Sequence, residues 1–201
     1  MDWLGTWGAA MGTAWLSGIK LYASVLILGI LQHFGFARLP GDLRMLGEWW
    51  VIAVAAVLCL VEFVADKVPV IDSAWDAVHT FIRIPAGALL AASAFTDFDS
   101  RARLLAFLLG GGIALASHGT KAAARAAVNT SPEPFSNVAL SALEDAVSAG
   151  LSVLVAFHPV VMLVIVAVLV TAGVLTVRKL ARGIRGLFRR SRAHGPAGQK
   201  G

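Results

Sequence analysis

Long apolar runs separated by short polar interruptions organise this chain. Trp3 to Leu16 is mildly apolar and glycine-rich, Ser17-Gly18-Ile19-Lys20 interrupts it, and Leu21 to Leu31 resumes, which predicts a first helix broken near Lys20. Phe36 to Glu48 reads as a polar loop, and Trp49 and Trp50 open a second apolar run as interfacial anchors. Pro69 ends that element, Asp72 or Ser73 can cap the next, and Pro85 kinks or restarts it before a charged loop at Thr96 to Arg103. Leu104 to Ser117 is apolar, His118 to Lys121 interrupts it, and Asn129 to Pro134 is turn-rich. Asn137 to Phe157 and the uncharged Pro159 to Val177 complete six expected crossings.

Composition removes a large soluble domain from consideration. The 201 residues are 58% hydrophobic and 14% charged, with a mean hydropathy of +0.77, so the fold class expected is an all-α polytopic membrane protein. No Lys or Arg precedes Lys20, unlike a secretory signal, so the N-terminus is expected to stay in the mature chain. Cys59 is the one cysteine, which excludes an intrachain disulfide and a cysteine-based metal site. Net charge is +5, and the excess sits in the tail after Val177. A basic tail after a span places the C-terminus in the cytoplasm, where it can meet anionic lipid heads. It lacks the aromatic interleaving of a nucleic-acid surface, so no nucleic-acid partner is expected. Six crossings would put both termini in the cytoplasm of a bacterial inner-membrane, multi-pass protein.

The stretch Glu62 to Gly87 holds ionisable residues between two apolar runs. Glu62 and Asp66, like Asp72 and Asp76, are four apart and share a helix face; Asp76, His79, Thr80 and Arg83 form a second polar stripe. An ionisable side chain at membrane depth costs about 3 kcal/mol, so such residues mark sites. Against this, Ser73-x-x-Asp76 is also a plain capping box.

The halves echo one another. Gly12-Thr-Ala-Trp-Leu-Ser17-Gly18-Ile-Lys20 and Gly112-Ile-Ala-Leu-Ala-Ser117-His-Gly119-Thr-Lys121 share G-x-A-x-x-S-G-x-K, allowing one insertion, and a later glutamate follows in each half, Glu62 and Glu144. Two inverted three-helix repeats with broken first helices are expected, over 1–95 and 96–180, with a disordered basic cytoplasmic tail over 181–201. Lys20 and Lys121 are expected to pair with Glu62 and Glu144 near the protein centre, as a transport site or as a purely structural charge pair.

The motif from Glu62 through Asp66, Lys67, Pro69, Asp72, Asp76, His79, Arg83, Pro85 and Gly87, with His118-Gly119-x-Lys121-Ala-Ala-x-Arg125 and Glu144-Asp145, resembles the bacterial membrane-protein family known only as domain of unknown function 4126. That resemblance implies a helical integral membrane protein and no activity. The function expected is a transporter or channel for a small charged solute, with a polar cluster of Lys20, Glu62, Asp66, Asp76, His79, Arg83, His118, Lys121, Arg125, Glu144 and Asp145. It needs no cofactor and is compatible with a homo-oligomer. The alternatives are a membrane enzyme on a lipid phosphate, with Mg²⁺ held by Glu62, Asp66, Asp72 and Asp76, or a scaffold subunit.

Overall fold

The computed structural model describes residues 2–67, 69–128 and 134–193; the side chains at 69, 70, 72, 73, 126, 127, 134, 137, 176 and 177 and everything after Arg178 are outside that description. Among the described residues there are six α-helices and no strand: α1 (Trp3–His33), α2 (Trp49–Ala65), α3 (Pro69–Ser93), α4 (Ser100–Val128), α5 (Pro134–Phe157) and α6 (Pro159–Ala193), with a 3-10 helix (Gly41–Gly47) before α2. Local chemistry sets the starts. The Asp2 carboxylate accepts from Gly5 N at 2.9 Å and Asp99 from Ala102 N at 2.9 Å, satisfying first-turn donors of α1 and α4. α3, α5 and α6 begin on proline, which lacks a donor and holds a helical φ. Asp72 and Ser73 therefore lie inside the start of α3 rather than capping it, and α3 runs through Pro85 to Ser93. α6 is helical to Ala193, and residues 194–201 of the expected tail lie outside the described residues.

The decisive feature is the path of α1. A straight helix of 31 residues is about 46 Å long. Yet both its ends meet the turn after α3. The Trp3 ring packs on Phe95 and Phe98 at 5.6 and 5.1 Å, and Trp7 on Phe95 at 4.6 Å. From the other end, Gln32 Oε1 accepts from Leu39 N at 2.7 Å, and Gly41, with φ +53, packs on Ser93, Ala94 and Thr96. One cavity of about 470 Å³ is lined by Thr6 and Gln32 together, with Asp97 and Phe98. The helix therefore folds back on itself at Lys20, whose backbone leaves the helical region at φ −144, ψ 79. Ser24 Oγ donates to the Lys20 carbonyl at 2.8 Å, giving that backbone oxygen a partner at the bend. The expected break is thus a hairpin tip between two limbs, 3–19 and 21–33.

This turn changes the count of crossings. By length and composition three helices reach what a crossing needs, α4 over Ser100–Arg125, α5 over Val138–Phe157 and α1, which does so only as the sum of its two limbs. A fourth follows if the 3-10 helix and α2, bent by 71°, count as one. α3 carries the polar stripe along its length, and the apolar part of α6, Pro159–Leu175, is shorter. These apolar helices make a membrane-embedded protein, and its outward surface agrees: Val57, Leu60, Phe81, Leu89, Leu104, Leu108, Val164 and Val168 are exposed.

The orientation of the two motif copies departs from an inverted repeat. The first limb of α1 lies antiparallel to α3, with Trp7 at Phe95 and Ser17 Oγ donating to Arg83 O at 2.5 Å. α4 is also antiparallel to α3, from Gly110 at Ala91 to His118 at Thr80 and Lys121 at Asp76. The first limb and α4 consequently run side by side in one direction, where inverted copies would oppose. They touch through the motif itself: Gly18 has no room for a Cβ against Ser117 Oγ, Ala114 O and His118 N, and Ser117 Oγ donates to Trp15 O at 2.7 Å. α4 continues as helix through His118 to Lys121, whereas the matching copy in α1 is broken at Lys20. α5 returns along α1, with Ser148 Oγ 3.0 Å from Ser24 Oγ and Val155 against Gly12. α6 then descends from Gly8 at Pro159 to Thr120 at Gly173. The first limb, wrapped by α3, α4, α5 and α6, is the core of the molecule.

Candidate functional site

The hairpin tip, the end of α2 and facing stretches of α3, α4 and α5 bring nine acidic and basic side chains into one layer. α2 contributes Glu62, buried in its last turn, and Asp66 just beyond it, one turn further on the same face. α3 contributes Asp76 and Arg83, seven residues apart and again on one face. α4 contributes Lys121 and Arg125 at a spacing of four, and α5 the adjacent Glu144 and Asp145.

These charges alternate in a connected chain. Arg83, fully buried, donates Nη2 to Glu62 Oε1 at 2.5 Å and Nη1 to Asp76 Oδ1 at 2.7 Å. The same Asp76 oxygen accepts from Lys121 Nζ at 3.1 Å, and Lys121 Nζ is 3.8 Å from Glu144 Oε2. Arg125 closes that end with a two-pronged contact to Glu144, at 3.1 and 2.6 Å. A second group centres on the tip, where Lys20 Nζ pairs with Asp66 and, at 2.8 Å, with Asp145. Burial is what forces the sharing. An ion taken out of water loses several kcal/mol of hydration, and only close opposite charges and hydrogen bonds recover it.

The two histidines flank the chain. His79 Nδ1 donates to Trp75 O at 2.8 Å, its Nε2 is 3.1 Å from the Tyr22 hydroxyl, and its ring stacks on Trp75 at 4.0 Å. His118 Nε2 lies 2.7 Å from Thr80 Oγ1, and its Nδ1 is 3.4 Å from Gly18 O. All eleven residues of the expected polar cluster therefore sit in or beside this layer, but the pairing differs. Of the expected pairs only Lys121 with Glu144 forms, at 3.8 Å. Lys20, at the tip, faces the end of α2, where Asp66 stands one turn beyond Glu62, and Glu62 is left to Arg83. Tyr22, Ser24 and Ser148 escaped notice, because single hydroxyls in apolar helices carry no spacing signal.

Glu62, Asp66 and Asp76 each engage a side-chain cation, the side chain of Asp72 lies outside the described residues, and among the described residues no three His, Cys, Asp or Glu are grouped as metal ligands. Three atoms of the layer are buried with no hydrogen-bond partner among the described residues: Glu62 Oε2, Asp66 Oδ1 and Arg83 Nε.

Comparison with known proteins gives one match: residues 8–179 fit a family model described as Domain of unknown function (DUF4126). No curated protein and no solved structure matches the chain.

Proposed function

The chain belongs to that family, whose description carries no activity, and from this premise we propose that it is a transporter or channel for a small charged solute in the bacterial inner membrane. The observation that carries the proposal is the sharing of partners in the buried layer. Asp76 serves Arg83 and Lys121, Glu144 serves Lys121 and Arg125, and Lys20 serves Asp66 and Asp145. Ionisable side chains at membrane depth that face the bundle interior and pair with one another mark ion pathways and proton relays. The folded-back α1 adds non-helical backbone at depth, a feature tolerated where backbone is buried in protein or lines a cavity.

The basic C-terminal segment favours the cytoplasm for the end of the bundle toward which α6 descends, with its charges against anionic lipid heads. With α1 folded back, the N-terminus then lies outside, and a reporter fused before Trp3 reads outside. Function is tested by reconstituting the protein in liposomes and screening protons, monovalent cations, Mg²⁺ and small anions. The conducted solute loses its flux in Glu62→Gln while the variant elutes as folded protein. Absence of flux for every solute refutes the proposal.

A further inference from the structure

Five carboxylates in the layer, Glu62, Asp66, Asp76, Glu144 and Asp145, face four cations, Lys20, Arg83, Lys121 and Arg125, which leaves one net negative charge among the described residues. Asp145 is 30% exposed and partly hydrated, but Glu62 and Asp66 are closed off, at 1% and 0%. Each of those two uses one oxygen on a cation and buries the other without a protein partner among the described residues. A buried carboxylate oxygen has no water to compensate it, so an unmet acceptor there is costly. Glu62 and Asp66 stand one helical turn apart on one face of α2. The two unmet oxygens therefore belong to neighbouring carboxylates of a layer that carries one net negative charge among the described residues.

We propose that Glu62 and Asp66 seat a single monovalent cation, a proton or an alkali ion, that neutralises the buried layer. The proposal names the ion left open by the transport reading of the same layer and builds on it. Other charged or titratable groups that act on this seat are Cys59 on α2, Lys20 and Tyr22 on α1, Arg83 on α3, and Lys121 and Arg125 on α4, with Asp145 on α5 sharing Lys20 and with Asp76, His79 and His118 around Arg83 and Lys121. His118 is the rival seat, since both its ring nitrogens face oxygen atoms.

The test is binding by the full chain in detergent, so failure to bind and failure to transport are read separately. Melting is followed in choline, lithium, sodium and potassium chloride at constant ionic strength, at low and high pH. An alkali ion in the seat raises Tm with each tenfold increase in its concentration above Kd. That dependence vanishes in Glu62→Gln, whose amide occupies the same volume without the charge. A proton in the seat gives no alkali dependence but an infrared band of a protonated carboxyl group, removed by Glu62→Gln or Asp66→Asn. If neither variant folds, the wild-type melts and infrared band decide. Absence of both responses overturns the proposal and leaves water as the partner of these oxygens. It is equally overturned if the response survives in Glu62→Gln and Asp66→Asn but is lost in His118→Gln.

Discussion

Arg83→Met isolates what holds the layer together. Arg83 is completely buried and is the one described cation bonded to Glu62, at 2.5 Å, whereas its other partner, Asp76, keeps Lys121 at 3.1 Å when the guanidinium is lost. The destabilisation therefore comes chiefly from Glu62, left as an uncompensated charge that is 1% exposed. Breaking a buried pair on one side costs about 3 to 5 kcal/mol, and because methionine keeps most of the volume, little of that is cavity. Adding Glu62→Gln to Arg83→Met removes the stranded charge and recovers part of the loss, with a coupling energy of about 2 kcal/mol, within the usual span for contacting charged residues. The control is the Lys121→Met and Glu62→Gln cycle. Lys121 bonds Asp76 and approaches Glu144, so its coupling to Glu62 is smaller. Unfolding of the purified protein in mixed micelles, followed by circular dichroism, measures all the variants. The pairing described here is refuted if the Arg83 and Glu62 cycle is additive within about 0.5 kcal/mol, or couples no more strongly than the control.

Gly18→Val drives a side chain into Ser117 Oγ and the backbone of Ala114 and His118, so the variant is expected to lose its folded peak in size-exclusion chromatography, while Gly112→Ala, with nothing within 4 Å of the added Cβ, is expected to keep that peak and to melt no lower than wild type, because alanine is favoured over glycine in a helix interior by about 1 kcal/mol. Cysteines at Thr6 and Gln32, in a Cys59→Ala background, are expected to be joined by a short bifunctional maleimide because both line one cavity. In a straight helix the two would be about 39 Å apart, and failure to cross-link refutes the hairpin.

The amino-acid sequence by itself determined the membrane class, most helix positions and the membership of the polar cluster. Apolar runs long enough to be helices admit few alternatives in a bilayer, because every backbone donor and acceptor must be satisfied within the element. Trp49 as the start of α2 and Pro159 as the start of α6 were legible for equally local reasons, an interfacial aromatic pair and a proline at a first turn. Tertiary structure decided what each charge meets and which way each element runs. A break near Lys20 is written in Ser17-Gly18-Ile19-Lys20, but the same letters serve an interrupted crossing or a hairpin, and only the cavity that Thr6 and Gln32 line together with Asp97 and Phe98 selects the hairpin. That one reversal sets the first limb parallel to α4, so the repeated motif became a close crossing of two small-residue surfaces instead of an inverted pair. It also set Lys20 opposite Asp66 and Asp145 and gave Glu62 to Arg83. Charge identity is a property of the residue, whereas a buried ion pair is a matter of a few ångströms, and those distances exist only once the helices have packed.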